Sequence, residues 1–226
     1  MKIKKIAGRY IDNQHLPHKL RVRREVAEWF PEGAVLDCYS GEGEMARRAW
    51  SDRRVVRIDK KDLPGVDHVG NNRRLAPTLA ATGQFRVFDL DAYGSPWLLL
   101  RDICAALPDG RYGFAVTCGL ERNLCTKSMA NWLPDAIGLP TRVSINLRPF
   151  YRRIVGILSH ASGNCKPLQI RYLKAPTRGI SVTYYAMEVQ VGGAPTMNNE
   201  GGHDGAGDTD RVDGSHVQPV DGMPQG

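Results

Sequence analysis

Between residues 34 and 118, short apolar runs alternate with segments of helical periodicity, and most runs close on an acidic or amide side chain. Ala34–Asp37, Val55–Ile58 closed by Asp59, Val66–Val69 before Asn71-Asn72, Phe85–Asp89 and Tyr112–Cys118 read as strands. Gly43–Trp50, Arg73–Ala81 and Pro96–Leu107 read as helices between them, the last with proline in its first turn, where a missing N–H is tolerated. Strands joined by helical crossovers run parallel, which predicts a sheet covered on both faces. A helix over about Pro17–Phe30 precedes this region, with Leu20, Val22, Val26, Trp29 and Phe30 mostly on one face, and Pro31-Glu32-Gly33 ends it. Asn123–Ile137 and Pro149–Ser162 are further helices by periodicity, the second with Phe150, Ile154, Ile157 and Leu158 on one face. Leu168–Leu173 and Ser181–Val191 are closing strands, and the short connection Ala175–Gly179 implies an antiparallel hairpin. The expected fold class is α/β: a doubly wound, Rossmann-like sheet with a closing antiparallel hairpin.

Charge divides the chain into three parts. Residues 1–30 are a basic segment leading into the first helix, with eight Lys or Arg in the first 24 positions. Residues 31–191 are the α/β domain, and together these two parts carry a balance of +12. Residues 192–226 carry −5, hold nine of the 24 glycines and lack bulky apolar side chains. Such a segment cannot bury enough surface to offset its ordering entropy, so a disordered acidic tail is expected. A body this basic often meets polyanions, and a solvated basic face is the plain alternative. The candidates for gripping nucleic acid are Lys2, Lys4, Lys5, Arg9, Lys19, Arg21, Arg23 and Arg24, with Arg148, Arg152 and Arg153.

No stretch approaches the roughly 20 apolar residues that span a bilayer, and the basic start lacks a signal-like apolar region, so a cytoplasmic protein is expected. The five cysteines form no C-x-x-C pair, and Cys38, Cys104 and Cys118 sit in apolar runs as small core residues. No metal site is expected.

Two strand ends carry the chemistry. Asp37-Cys38-Tyr39-Ser40-Gly41-Glu42-Gly43-Glu44-Met45-Ala46 places G-x-G-x-x-A between a strand and a helix, a pattern that dinucleotide enzymes share. A diphosphate needs bare N–H groups and positive potential at the helix start. Asp37, Glu42 and Glu44 oppose that, and suit S-adenosylmethionine, whose ammonium and sulfonium are cations. Asp37 then faces the ammonium, with Tyr39, Gly41 and Gly43 along the same loop. Asp59 is placed for the ribose hydroxyls, and Asn71 or Asn72 for the adenine edge. The plain alternative has the two glutamates complementing the helix dipole and Asp59 capping a turn.

The second strand end is Asp89-Leu90-Asp91-Ala92-Tyr93-Gly94-Ser95-Pro96. Methyl transfer to an exocyclic amine needs an acceptor for the amine N–H, because the nitrogen lone pair is delocalised into the ring. Asp91 fits that role, Tyr93 fits stacking on the base, and Asp89 orients the loop or contacts the cofactor. The alternatives are helix capping for the carboxylates and core packing for the ring.

The strand order resembles that of the class I methyltransferases. The octapeptide resembles the D-x-D-P-[FY]-G-S-P signature of the tRNA guanine-N2 dimethyltransferases, and with the Asp37–Gly43 loop and Asp59 the likeness covers roughly residues 30–120. The resemblance implies S-adenosylmethionine as cofactor, RNA as the favoured partner, Asp91 at the guanine amino group and Tyr93 beside the base. Ala92 departs from the family's proline, which loosens the loop that aims Asp91, and the family's C-terminal RNA-binding domain has no counterpart. The motif is also akin to the D-P-P-Y loop of amino-methylating DNA enzymes. Three readings therefore stand: a nucleic-acid N-methyltransferase on RNA or DNA, an NAD-dependent oxidoreductase, and a non-catalytic binding module that keeps the fold.

Overall fold

Alternate residues of the apolar runs point into two separate hydrophobic layers, and that two-sidedness fixes the architecture. The structure is a computed structural model that describes residues 5–6, 9–10, 15–92, 95–118, 150–162, 165–175, 182–193 and 217–219. The elements in chain order are β1 (Lys5–Ile6), β2 (Arg9–Tyr10), α1 (Leu16–Trp29), β3 (Ala34–Asp37), α2 (Glu44–Ala49), β4 (Val55–Asp59), β5 (His68–Val69) and α3 (Asn72–Ala80). They continue with β6 (Phe85–Asp91), α4 (Trp97–Ala106), β7 (Gly110–Cys118), α5 (Phe150–Ser162), β8 (Cys165–Ala175), β9 (Val182–Val191) and β10 (Val217–Pro219).

The main sheet runs β8-β9-β7-β6-β3-β4-β5, with the three-residue β10 added in parallel at the β8 edge. The strands from β3 to β7 are parallel to their neighbours, and β9 inserts antiparallel between β7 and β8. This is the expected doubly wound sheet with its late antiparallel hairpin. From β3 the chain winds outward through β4 and β5, then returns to β6 on the other side of β3. The crevice between the C-terminal ends of β3 and β6 is therefore the topological switch point, where open α/β sheets bind ligands.

Leu36, Phe88, Leu90, Phe114 and Val116 face one layer, built with Ala76 and Ala80 of α3, Leu99, Leu100 and Ile103 of α4, and Ile154, Ile157 and Leu158 of α5. Val35, Val87, Ala115, Tyr184 and Ala186 face the other, where Val22 and Val26 of α1 cover them. α1 lies close because Gly113 of β7 is bare: a Cβ there would stand 2.7 Å from both Val26 and Phe30. The helix at the end of the basic segment is thus part of the sheet's second layer.

Several boundaries differ from expectation, those of β5 and β6 among them. β5 keeps two residues instead of four, because the Asp67 side chain takes the Arg57 N–H at 2.7 Å and the chain turns at Leu63–Val66. β6 runs two residues longer, since Leu90 and Asp91 continue the ladder against Val116 and Thr117. Of the expected tail, Gly192, Gly193 and β10 are described, and the remainder lies outside the described residues, as does the expected helix at Asn123–Ile137. No helix among the described residues is long and apolar enough to cross a membrane.

Candidate active site

Asp37 ends β3, and Asp89 and Asp91 end the neighbouring β6. The strand alternation puts all three on the face covered by α1. Parallel pairing sets Asp37 opposite Asp89 in register. Three carboxylates this close, in so little water, would repel one another strongly. Two of them are compensated from α1.

Arg23 is completely buried. It grips Asp89 with both ends of its fork, Nε to Oδ2 at 2.7 Å and Nη2 to Oδ1 at 2.6 Å. The Trp50 indole N–H adds a bond of 2.7 Å to Oδ2, and Arg23 Nη1 donates to the Lys19 carbonyl. Burial opposes a charged guanidinium, but Asp89 and Asp91 outweigh it and raise the pKa of Arg23 above its ordinary value. Asp89 is therefore an anchor that fastens α1 and the end of α2 to the sheet, with both oxygens bonded from those two elements.

Lys19, one turn earlier on α1, donates to Asp91 Oδ2 at 2.8 Å, and Arg23 Nη2 lies 3.8 Å from Oδ1. Burial pushes the Asp91 carboxyl up, yet Arg23 and Lys19 prevail and hold it below the usual carboxylate range. The Thr117 hydroxyl approaches it from β7 without a well-formed hydrogen bond. Lys19 and Arg23 were expected in an exposed nucleic-acid grip. That expectation is corrected: both turn inward to the carboxylates. The signal was present in the sequence, because 19, 22, 23 and 26 follow the spacing of the helix's apolar face. Of the other grip candidates, Arg24 is exposed and Arg21 lies 3.9 Å from Glu25.

Among the described residues, Asp37 has no cation of its own. Its Oδ1 takes only a long bond of 3.4 Å from the Tyr39 N–H, and its buried Oδ2 has no partner among the described residues. Burial first, then the charge of Asp89, pushes this carboxyl well above its ordinary range, although Arg23 pulls the other way. The Ser40 hydroxyl and Asn72 Oδ1 are likewise buried without a hydrogen bond in the structure. Orphaned polar atoms and one uncompensated carboxylate around the end of β3 suit a ligand with N–H donors and positive charge.

The glycine loop holds Gly41 and Gly43 in left-handed conformations, φ 49° and 78°. The bare α-carbon of Gly43 makes room for the Arg57 guanidinium, which a Cβ would approach to 2.6 Å. Arg57 is fixed there by the carbonyls of Gly41 and Pro64 at 3.0 and 3.1 Å. In dinucleotide folds that space admits the diphosphate. Here the protein fills it. Asp59 takes the Gly41 N–H with one oxygen and the Lys61 N–H with the other, both at 2.9 Å, so it ties the loop to the end of β4 and caps the turn after it.

Asn71 caps α3: its side-chain oxygen accepts the Arg73 N–H at 3.0 Å and keeps a second lone pair. Asn72 reaches the Cys38 carbonyl instead. Tyr39 packs half-buried against the core, and burial pushes its phenol up to about 12. Ala92 donates its N–H to the Leu90 carbonyl at 2.9 Å, closing a three-residue turn with Asp91 at its apex. The loop expected to be loosened by the missing proline is closed by a hydrogen bond that proline could not donate. Tyr93 and Gly94 lie outside the described residues. Far from this crevice, a broad cleft of about 650 Å³ opens at the N-terminal ends of β3, β6 and β7 beside Trp29 and Phe30.

No protein-family model and no curated protein sequence matches this chain. Solved structures do. Trm1 from Pyrococcus horikoshii, in complex with S-adenosyl-L-methionine, superposes with a TM-score of 0.52 at 17% identity, over 84% of this chain and 58% of that one. TYW2 from P. horikoshii, in complex with MeSAdo, gives 0.50 at 11% identity, over 83% of this chain and 67% of that one. The fold is that of the class I methyltransferases. The chain spans little more than half the length of Trm1.

Proposed function

We propose that this chain is a cytoplasmic S-adenosylmethionine-dependent N-methyltransferase acting on nucleic acid, with the exocyclic amine of guanine in tRNA or another RNA as its acceptor. The observation that carries this reading is the charge at the switch point. Among the described residues, the cations that face Asp37, Asp89 and Asp91 are Lys19 and Arg23, which leaves one carboxylate for a cationic ligand. S-adenosylmethionine, with two cationic groups and one carboxylate, brings the missing positive charge. Arg57 already fills the space over Gly43 that a diphosphate would need, which weighs against the oxidoreductase reading.

Asp37 meets the cofactor ammonium, directly or through water, and the Gly41–Gly43 backbone with Tyr39 forms the wall of the same pocket. The ribose hydroxyls fall to Asp59, whose oxygens keep further lone pairs after binding Gly41 and Lys61. The cofactor supplies an electrophilic methyl carbon on a cationic sulfur. Asp91 accepts the amine N–H and takes its proton as the nitrogen–carbon bond forms and the carbon–sulfur bond breaks. Tyr93, two residues on, stacks on the base. The presence of S-adenosyl-L-methionine in the similarly folded Trm1 supports the choice of cofactor, and the octapeptide supports the amine acceptor.

The test is a radiolabelled-methyl assay on total RNA and on DNA, followed by nucleoside analysis, with calorimetry of S-adenosylmethionine against NAD. Label in N2-methylated guanosine is the expected result. Label only in DNA moves the acceptor to that polymer, and tight NAD binding with no transfer overturns the reading. Activity on RNA should fall steeply with salt, because the remaining basic side chains would displace counterions from phosphates.

A further inference from the structure

Asp91 is not an isolated acceptor. Its two oxygens are treated differently by the same helix. Oδ2 is held by the Lys19 ammonium at 2.8 Å, while Oδ1 has no hydrogen-bond partner among the described residues and sees Arg23 only at 3.8 Å. Lys19 is itself mostly covered, with 18% of its side chain accessible, and the carboxylate it holds is 14% accessible. The clamp is rigid at its base, because Arg23 is locked to Asp89 and bonds back to the Lys19 carbonyl. The tight turn closed by the Ala92 N–H fixes the Asp91 backbone from the other side.

We propose that Lys19 is a positioning residue for the methyl acceptor: by occupying one oxygen of Asp91 it fixes the carboxylate plane and leaves the other oxygen as the single acceptor for a substrate N–H. This deepens the methyltransferase reading and rests on it. An exocyclic amine carries two N–H groups, and a carboxylate free to rotate would engage them in several poses. With Oδ2 taken, one pose remains, in which one N–H meets Oδ1 and the nitrogen lone pair is turned out of the ring plane toward the methyl donor. Orientation of this kind contributes to rate far more than to binding. Among the described residues, Lys19 and Arg23 from α1 and Thr117 from β7 face Asp91, Asp37 is close enough to feel its charge, and the Lys19 ammonium makes the well-formed hydrogen bond.

The experiment compares the full chain with Lys19→Met and Lys19→Arg. Carboxyl-carbon NMR of aspartate-labelled protein, with the Asp91 signal assigned through Asp91→Asn, reads the clamp without any need for turnover. The Asp91 titration midpoint should rise in Lys19→Met and return toward the unaltered value in Lys19→Arg. On total RNA, Lys19→Met should lose tenfold or more in kcat with KM changed less than threefold, and its acid limb should move to higher pH. Lys19→Arg should recover most of the loss. An unmoved midpoint in a folded Lys19→Met overturns the proposal, and so does a loss confined to KM. Absence of methyl transfer by the unaltered chain is a different failure. It overturns the methyltransferase reading itself, whatever the NMR shows.

Discussion

Asp37 and Asp91 end adjacent parallel strands and face the same helix, the first buried and the second mostly covered, yet the fold prepares them in opposite ways. Asp91 receives Lys19 and lies near Arg23, and is held ionised. Asp37 receives one long backbone bond and is pushed toward the neutral acid. The same side chain type, two strand spacings or less apart, thus has its charge fixed in one place and left open in the other. Chemistry at an acceptor needs a charge in place before substrate arrives. A cofactor pocket can leave its charge to be completed by the ligand. Disturbing each half of this contrast sharpens it or breaks it.

The largest effect should come from Arg23, which supports both halves. Arg23→Met leaves Asp89 buried without its guanidinium, and removing one partner of a buried pair costs about 3–5 kcal/mol. Guanidinium-induced unfolding of Arg23→Met should show a loss of that size. A loss under about 1 kcal/mol would mean that Trp50 and water suffice to hold Asp89. Next is Asp91→Asn, which keeps the shape and removes the charge. Methyl transfer should fall by about 10²–10⁴-fold, the range for a positioned acid–base group, while calorimetry shows cofactor affinity within threefold. Retained turnover would remove Asp91 from the chemistry.

Asp37 gives a smaller and pH-dependent effect. Its carboxyl is raised in the folded chain, so the folded state holds a proton that the unfolded state has released. The stability attached to that proton is complete below the ordinary aspartate range and is lost as pH rises through the folded value. Asp37→Asn, which stays neutral, should therefore be more stable than the unaltered chain at pH 8 and by less at pH 5. Cofactor binding runs the other way. A cationic ligand favours ionised Asp37, so affinity should rise with pH, and Asp37→Asn should flatten that slope and weaken binding by roughly tenfold, as expected for a lost charged hydrogen bond. Thermal melts and calorimetry across pH 5–8 measure both. Equal slopes in the two proteins would show that Asp37 is not the ligand's counter-charge.

Much of this arrangement is legible in the sequence. The runs ending in Asp37, Asp59 and Asp89, with the glycines between, specify the sheet and its switch point through local periodicity and turn chemistry. What was not legible is which charges are consumed inside. Arg23 and Lys19 read as part of a basic surface because composition counts charges without saying which way a helix faces, and their partners are 66 and 72 residues away. Asn71 has a local duty that its place in the sequence already signalled: an Asn directly before a helix is first of all a cap. Asp59 illustrates the middle ground, since the residue that ends β4 holds the glycine loop with the same carboxylate proposed to hold a ribose.

The smallest effect expected is the most specific test of the acceptor half. Ala92→Pro restores the residue of the resembled signature. It deletes the N–H that bonds to Leu90, worth about 0.5–1.5 kcal/mol, and restricts the unfolded chain, worth about 0.4–1 kcal/mol in the opposite direction. The two nearly cancel, so the denaturation midpoint should move by less than about 1 kcal/mol. The residue before a proline is driven to extended backbone, however, and that residue is Asp91. If the three-residue turn is what aims Asp91 at its lysine, Ala92→Pro should shift the Asp91 carboxyl resonance and weaken its response to Lys19→Met while stability hardly changes. An unshifted resonance would show that the side chains of α1 alone set the carboxylate's direction, with the backbone turn following them.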